Sequence, residues 1–234
     1  MKILLIIPCY NEEKNISTVV ENIIAHYPTY DYVIINDCST DGTKEICRSY
    51  NYNYLSFCTN LGIGGGVQAG YMYAMENDYD ITVQVDGDGQ HDPAYIGKMI
   101  EKMEQEKADM VIGSRFIENK GFQTSSFRRF GIKLINNTIR LCCGADVTDA
   151  TSGFRVCSKS MTAFFADNYA QDYPEPEAIV SAVLNGYKVC EMPVEMKERK
   201  EGVSSINWTR SIYYMIKVTL ALMLQRIATR RSVG

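Results

Sequence analysis

Apolar residues in this chain fall into short dense runs separated by longer stretches with helical spacing. The runs at 2–7, 31–36, 53–57, 80–85 and 109–113 read as strands. Between them, apolar positions recur at three- and four-residue steps over about 12–26, 41–50, 64–77 and 93–107, which predicts helices. Repeated strand–helix units predict an α/β fold, a mainly parallel sheet with helices packed on it. After residue 113 the pattern changes. A helix over about 127–141 precedes a short strand ending at Ser158. Helices over about 159–167 and 175–185, a strand over 187–195, a polar stretch from Lys197 to Ser205 and a last helix over about 206–229 follow. No internal repeat or linker composition interrupts the chain. One domain, 1–205, followed by a C-terminal amphipathic segment, 206–234, is the expected organisation.

Three strand ends carry unusual polar segments: Pro8–Glu13, Asn36–Thr43 and Asp86–Gln90. In parallel sheets the ligand crevice lies beyond the carboxyl ends of the strands, so this topology would gather all three at one edge. The third is the most telling. An apolar alternation from Ile81 to Val85 stops at Asp86 and Asp88, each followed by a glycine, and Pro93 stands where a helix can start. Two residues apart in extended chain point the same way, so both carboxylates can converge on one point. Such a pair suits a hard divalent cation that takes its remaining ligands from phosphates and water. A Gly/Asp turn capping the next helix is the plainer alternative. A calcium loop is excluded, because His91 stands where glycine is needed and Gly97 where the bidentate glutamate is needed.

Composition narrows the function. The chain has 234 residues, 46% of them hydrophobic and 22% charged, which is ordinary for a globular protein. Residues 207–234 hold five cations and no acid, so the net charge of −4 leaves −9 on the remainder. An acidic body does not suit nucleic acid, whereas a basic apolar tail suits an anionic surface. The eight cysteines form no CxxC and only two histidines exist, so no zinc spacing can be built. Scattered cysteines fit a reducing cytosol. Gly64, Gly66 and Ala69 match a weak dinucleotide fingerprint. They follow the third strand, and no acid sits suitably beyond the next, so an NAD-dependent oxidoreductase is disfavoured. These glycines read instead as close packing of a helix start against sheet and ligand.

Seven motifs in order carry a resemblance: IIPCYNEE (6–13), INDCSTDGT (35–43), NLGIGGGVQAG (60–70), QVDGDGQHDP (84–93), IGSR (112–115), DATSGFR (149–155) and MPVEMKERKEGVSSI (192–206). They are similar to those of family 2 glycosyltransferases with the GT-A fold, whose sheet is Rossmann-like with helices on both faces. The nearer likeness is to the dolichyl-phosphate mannose synthase branch and its bacterial polyprenyl-phosphate relatives. The resemblance implies a nucleoside-diphosphate sugar donor, an inverting transfer, and Mg2+ or Mn2+ as cofactor. It places Pro8, Tyr10, Glu12, Asp37, Gly62 and Asp86 around the nucleotide. Asp86, Asp88 and Gln90 would surround the metal, and Arg115, Arg128, Arg129 and Arg199 would be cations near the phosphates and the acceptor. Arg155 has a plainer alternative, as partner of a structural carboxylate such as Asp149. Three departures stand out. Asn36 and Cys38 replace an acid and the glycine of the usual DDGS, and Ile132 stands where the branch usually offers serine.

The resemblance favours a polyprenyl phosphate acceptor, already anionic and in no need of a base. A sugar hydroxyl acceptor would need one, and Asp172, Glu175 and Glu177 are the candidates near a helix start. A non-catalytic nucleotide-sugar-binding protein is the alternative from another class. The apolar run Ile212–Leu224, 13 residues with one lysine, is short of the ~20 needed to cross a bilayer. Arg210, Lys217 and Gln225 fall along one helical stripe. The tail therefore reads as packing on its own domain or in a homo-oligomer, as lying in a membrane interface, or as docking to a small membrane protein. A cytoplasmic enzyme, peripheral at the inner face of the membrane, is the expectation.

Overall fold

β1 (Ile3–Cys9) is buried along its whole length. Alternate side chains leave a strand on opposite faces, so an all-apolar strand has to be covered on both. Leu4 and Ile6 enter one core cluster, and Ile3, Leu5 and Ile7 the other. The computed structural model describes residues 1–118, 126–197 and 208–232, with backbone alone at 126–128, 208–214 and 229–232.

β2 (Asp31–Asn36) pairs parallel with β1, in register from Leu4↔Asp31 to Cys9↔Asn36. β3 (Tyr54–Ser56) continues the sheet beyond β2, and β4 (Ile81–Gln84) pairs parallel with the other edge of β1. β5 (Met110–Ser114) and β7 (Val189–Pro193) form a second parallel pair. Between these blocks lies β6 (Arg155–Ser158), antiparallel to both β4 and β5. The seven strands run in the order β3-β2-β1-β4-β6-β5-β7. Apolar periodicity carries no strand direction, so the reversed β6 is something only the fold reveals.

One face of the sheet is covered by α1 (Ile16–His26), α2 (Thr43–Ser49) and α4 (Ile96–Glu106). α1 buries Ile16, Val19, Val20 and Ile23, and α4 buries Ile96, Met99, Ile100 and Met103. Both sets follow the spacing that makes one apolar helix stripe. The other face carries α3 (Gly62–Glu76), α5 (Ser126–Cys143), α6 (Lys159–Asn168), α7 (Pro174–Leu184) and α8 (Trp208–Ser232).

Two differences from the sequence pattern matter for the site. α1 begins at Ile16 rather than near residue 12, because Glu12 N–H donates to Thr43 Oγ1 at 2.9 Å and Asn11 Oδ1 accepts the Thr40 N–H at 2.8 Å. These bonds keep Tyr10–Glu13 as a loop tied to the loop after β2. The tail, in turn, is packed on the domain along one side. Val218 and Leu222 are fully buried, the Cys142 thiol meets the Leu222 carbonyl at 3.6 Å, and Gln225 Nε2 donates to the Glu177 carbonyl. Lys217 is exposed, so Lys217 and Gln225 do not share one solvent-facing stripe, and the Arg210 side chain lies outside the described residues. Among the described residues no helix is long and apolar enough to cross a membrane.

Candidate active site

Sheet order reverses beside β1, where β2 lies to one side and β4 to the other. That is the position at which open α/β sheets bind ligands. A crevice of about 230 Å3 opens there. The loop after β1 supplies Pro8, Cys9, Tyr10 and Glu12, and the loop after β2 supplies Asp37. The start of α3 supplies Gly62, Ile63 and Gly66, and the loop after β4 supplies Asp86, Gly87 and Asp88. The three polar segments singled out in the sequence therefore do meet.

Each acid is held from behind. Asp37 Oδ1 accepts the Leu61 N–H at 2.7 Å, and the Asp37 N–H donates to the Cys9 carbonyl. Glu12 Oε2 accepts from Asn15 Nδ2 at 2.7 Å, just ahead of α1. Asn36 is buried and bridges Ser56 Oγ and the Ser39 N–H. It thus fastens the β2 loop to β3. Cys38 adopts φ +57°, the left-handed region that favours glycine.

The Asp86 carboxylate sits in a preformed cradle. A Cβ on Gly153 would lie 3.3 Å from both Asp86 oxygens and 2.8 Å from Gln84 Nε2. A Cβ on Gly87 would lie 3.1 Å from Cys9 Cβ. Gln84 Nε2 stands 3.3 Å from Asp86 Oδ1. His91, buried and stacked on Phe154 at 4.9 Å, accepts the Asp86 N–H on Nδ1 at 3.0 Å. Its Nε2 lies 3.6 Å from Asp86 Oδ2. Burial lowers its pKa to about 4, so the ring is neutral at neutral pH and its one proton belongs on Nε2, toward the carboxylate. His91, Gln84 and Gly153 are the residues that sequence reading missed. The available signals were a glutamine inside an apolar strand and a histidine directly after DGDGQ.

Asp88 Oδ1 accepts the Gln90 N–H at 3.0 Å, and Gly89 supplies the turn with φ +78°. Among the described residues no group of three or more His, Cys, Asp or Glu side chains makes a metal cage. Two carboxylates at a crevice floor are nevertheless the donor set of a hard cation that draws on substrate phosphates and water, so the residues fit that group.

The model for proteins described as glycosyl transferase family 2 matches residues 4–164. The chain belongs to this family. It is 33% identical over 217 residues to the UDP-N-acetylglucosamine–dolichyl-phosphate N-acetylglucosaminyltransferase of Methanococcus voltae, covering 82% of this chain and 84% of that one. It is 25% identical over 228 residues to the polyprenol monophosphomannose synthase of Mycolicibacterium smegmatis, covering 92% and 84%. In fold it is similar to glucosyl-3-phosphoglycerate synthase of Mycobacterium tuberculosis, solved with Mn2+, UDP and phosphoglyceric acid. That match has a TM-score of 0.71 at 16% identity and covers 96% of this chain and 78% of the other. The fold is thus GT-A, and this family 2 chain is a glycosyltransferase.

The remaining expected residues of this family 2 enzyme separate. Arg115 forms a two-pronged pair with Asp149, Nε to Oδ2 and Nη2 to Oδ1, both at 2.7 Å. Asp149 therefore partners Arg115 and not Arg155. Arg155, fully buried, donates instead to the carbonyls of Ser152 and Glu175. Arg115 and Arg129 both lie over the Phe116 ring, at 5.2 and 5.3 Å. Beyond them a second cavity of about 500 Å3 is lined by Arg129, Ile132, Lys133 and Asn136. Gln90 turns its amide NH2 to the Lys197 carbonyl at 3.3 Å. The side chain of Arg128 and all of Arg199 lie outside the described residues. Of the three acids near α7, Asp172 is exposed, while Glu175 lies within electrostatic reach of Asp86. Burial, opposed by the Arg155 guanidinium and aided by Asp86, raises the Glu175 pKa.

Proposed function

We propose that this glycosyltransferase moves a sugar from a nucleoside-diphosphate sugar to a polyprenyl phosphate, with inversion at the anomeric carbon. The observation that carries the reading is the crevice itself, where Asp86 and Asp88 share a wall with Asp37 and Glu12. Asp37 and Glu12 are suited to hold ribose and base, with the half-exposed Tyr10 ring at the rim. Asp86 and Asp88 would hold Mg2+ or Mn2+, which on binding neutralises charge growing on the departing nucleoside diphosphate. His91, Gln84 and Gly153 keep the Asp86 carboxylate aimed into the crevice. Arg129 and Lys133, with Phe116, offer a cationic cavity for an anionic acceptor. An acceptor phosphate needs no proton removed before it attacks. Likeness to enzymes named for polyprenol and dolichyl phosphate, over most of the chain, favours that class of acceptor.

One observation favours a sugar hydroxyl acceptor instead. Glu175 near Asp86, its pKa raised by burial, has the makings of a general base. Transfer assays with labelled UDP-, GDP- and dTDP-sugars, Mg2+ or Mn2+, and either a polyprenyl phosphate or a panel of oligosaccharides separate the two. Lipid product from the first acceptor alone is expected. Glu175→Gln should then cost less than the ~10²-fold that loss of a general base begins at. Product only on hydroxyl acceptors, with a larger loss in Glu175→Gln, overturns the reading.

A further inference from the structure

β6 lies antiparallel to β4 with Arg155 directly opposite Gln84. Side chains that face each other across such a pair leave the sheet on the same side. Gln84 is 1% exposed and Arg155 0%, and Tyr169, the residue after α6, is 5% exposed. Each carries a buried polar atom with no hydrogen-bond partner among the described residues: Gln84 Oε1, Arg155 Nη1 and the Tyr169 hydroxyl. Burial raises the Tyr169 pKa and the Arg155 guanidinium opposes that rise, so ring and cation are neighbours. Buried polar groups are seldom left unpaired, and three in one place call for a common partner.

The chemistry of these groups fixes a direction. A guanidinium only donates, and a carboxylate such as that of Asp86 only accepts. Gln84 stands between them with an amide that does both. Its NH2 faces Asp86 Oδ1 at 3.3 Å, which leaves Oε1 for the Arg155 side. Turned the other way, the amide would set acceptor against acceptor and donor against donor. One water suits the gap. It can accept from Arg155 Nη1, donate to Gln84 Oε1 and share a bond with the Tyr169 hydroxyl, about three bonds being usual for a buried water. Arg155 is itself anchored. Its Nε donates to the Ser152 carbonyl at 2.9 Å, and its Nη2 to the carbonyls of Glu175 at 2.7 Å and Ala150 at 3.4 Å. Its Nη1 end is thereby held toward Gln84.

We propose that Arg155 is a positioning residue for the Asp86 carboxylate, acting through one buried water and the Gln84 amide. The same guanidinium grips the first turn of α7 at Glu175, so one cation sets both the Asp86 wall and that helix. The consequence for metal binding rests on the reading of Asp86 as a metal ligand, whereas the relay itself does not.

The relay is read first in the metal-free full chain, by NMR of the Gln84 side-chain amide, assigned by its loss in Gln84→Leu. In the wild type its protons should exchange slowly with solvent. Arg155→Met should move the signals and speed exchange, and Tyr169→Phe should move them with the fold intact. Mn2+ affinity is then measured by electron paramagnetic resonance in the presence of UDP or GDP. Removing a nearby cation would, by charge alone, tighten cation binding. Losing an outer-shell partner instead weakens it by about 10- to 100-fold. Weakening of that size is expected for Arg155→Met and for Gln84→Leu, with partial recovery in Arg155→Lys, which keeps a buried donor. The double variant should be no weaker than the worse single one, because both changes cut one chain. Multiplied losses mean independent roles and overturn the proposal. So does a Gln84 amide indifferent to both Arg155→Met and Tyr169→Phe, or Mn2+ binding that tightens in Arg155→Met. Unfolding midpoints identify folded variants, and where Arg155→Met fails to fold, Arg155→Lys and Tyr169→Phe carry the comparison. A wild type that shows the amide response yet binds no Mn2+ upholds the relay and sinks the metal reading of Asp86 instead.

Discussion

Arg115 offers the sharpest test of how far family likeness carries a residue's role. The resemblance makes it a cation for ligand phosphates, yet the structure gives both prongs of its guanidinium to Asp149. The Asp149 side chain is fully buried and that of Arg115 is 11% exposed, so the pair is desolvated rather than a surface ion pair. Arg115→Met keeps most of the stem volume and strands the carboxylate. Asp149 would retain only the Arg115 N–H at 3.1 Å and the Thr151 hydroxyl at 3.3 Å. Breaking a buried pair from one side costs about 3 to 5 kcal/mol, because the remaining charge is left without compensation. Adding Asp149→Asn removes that stranded charge and should recover about 1 to 3 kcal/mol, the size of coupling found between contacting residues. Urea unfolding followed by circular dichroism measures all three variants, with an unchanged denaturant slope confirming that stability alone has moved. A single-variant cost below about 1 kcal/mol would be that of a solvated surface pair and would refute the burial reasoning. Arg115→Met that keeps its stability but loses nucleotide binding would return the residue to the ligand.

Asp88→Asn should abolish turnover and metal-dependent binding of nucleoside diphosphate, read by calorimetry, while the unfolding curve stays in place; transfer near the wild-type rate excludes the proposed metal site. Gly64→Ala should destabilise by about 1 to 3 kcal/mol or more in urea, since its Cβ would come within 2.4 Å of the Ala170 carbonyl oxygen and 2.6 Å of Gln171 Cα, backbone that cannot swing aside. Cys58 is exposed, whereas burial pushes the Cys47 thiol up to about 11 and Cys157 to about 12, and raises Cys9 further. Iodoacetamide at about pH 8 should therefore modify Cys58 at least about 100-fold faster than these three in the native protein, read by peptide mass spectrometry, and equal rates would mean that the core opens readily.

Much of this enzyme was legible along the chain. A strand such as Ile3–Cys9 is dense in apolar residues because a parallel strand is buried on both faces, and that density needs no third dimension to be seen. Helices α1 and α4 announce themselves through their three- and four-residue apolar steps. Asp86 and Asp88 could be singled out because carboxylates that end a buried strand have no structural need to be there. Charge, too, is a property of sequence, and the acid-free tail was visible as such.

Long-range placement was not legible. Nothing in residues 155–158 states that β6 runs backward between β4 and β5, since periodicity is blind to direction, yet that placement brings Gly153 against Asp86. Neither does sequence say which of two arginines takes Asp149, for both are within reach until the backbone fixes their geometry. Glu175 and Asp172 look alike as first-turn acids, and only packing of α7 puts one near Asp86 and leaves the other in water. Local pattern determines elements because covering a strand or a helix is a requirement met residue by residue. Partners across the fold are decided by which surfaces close against each other, and that exists only once the chain is folded.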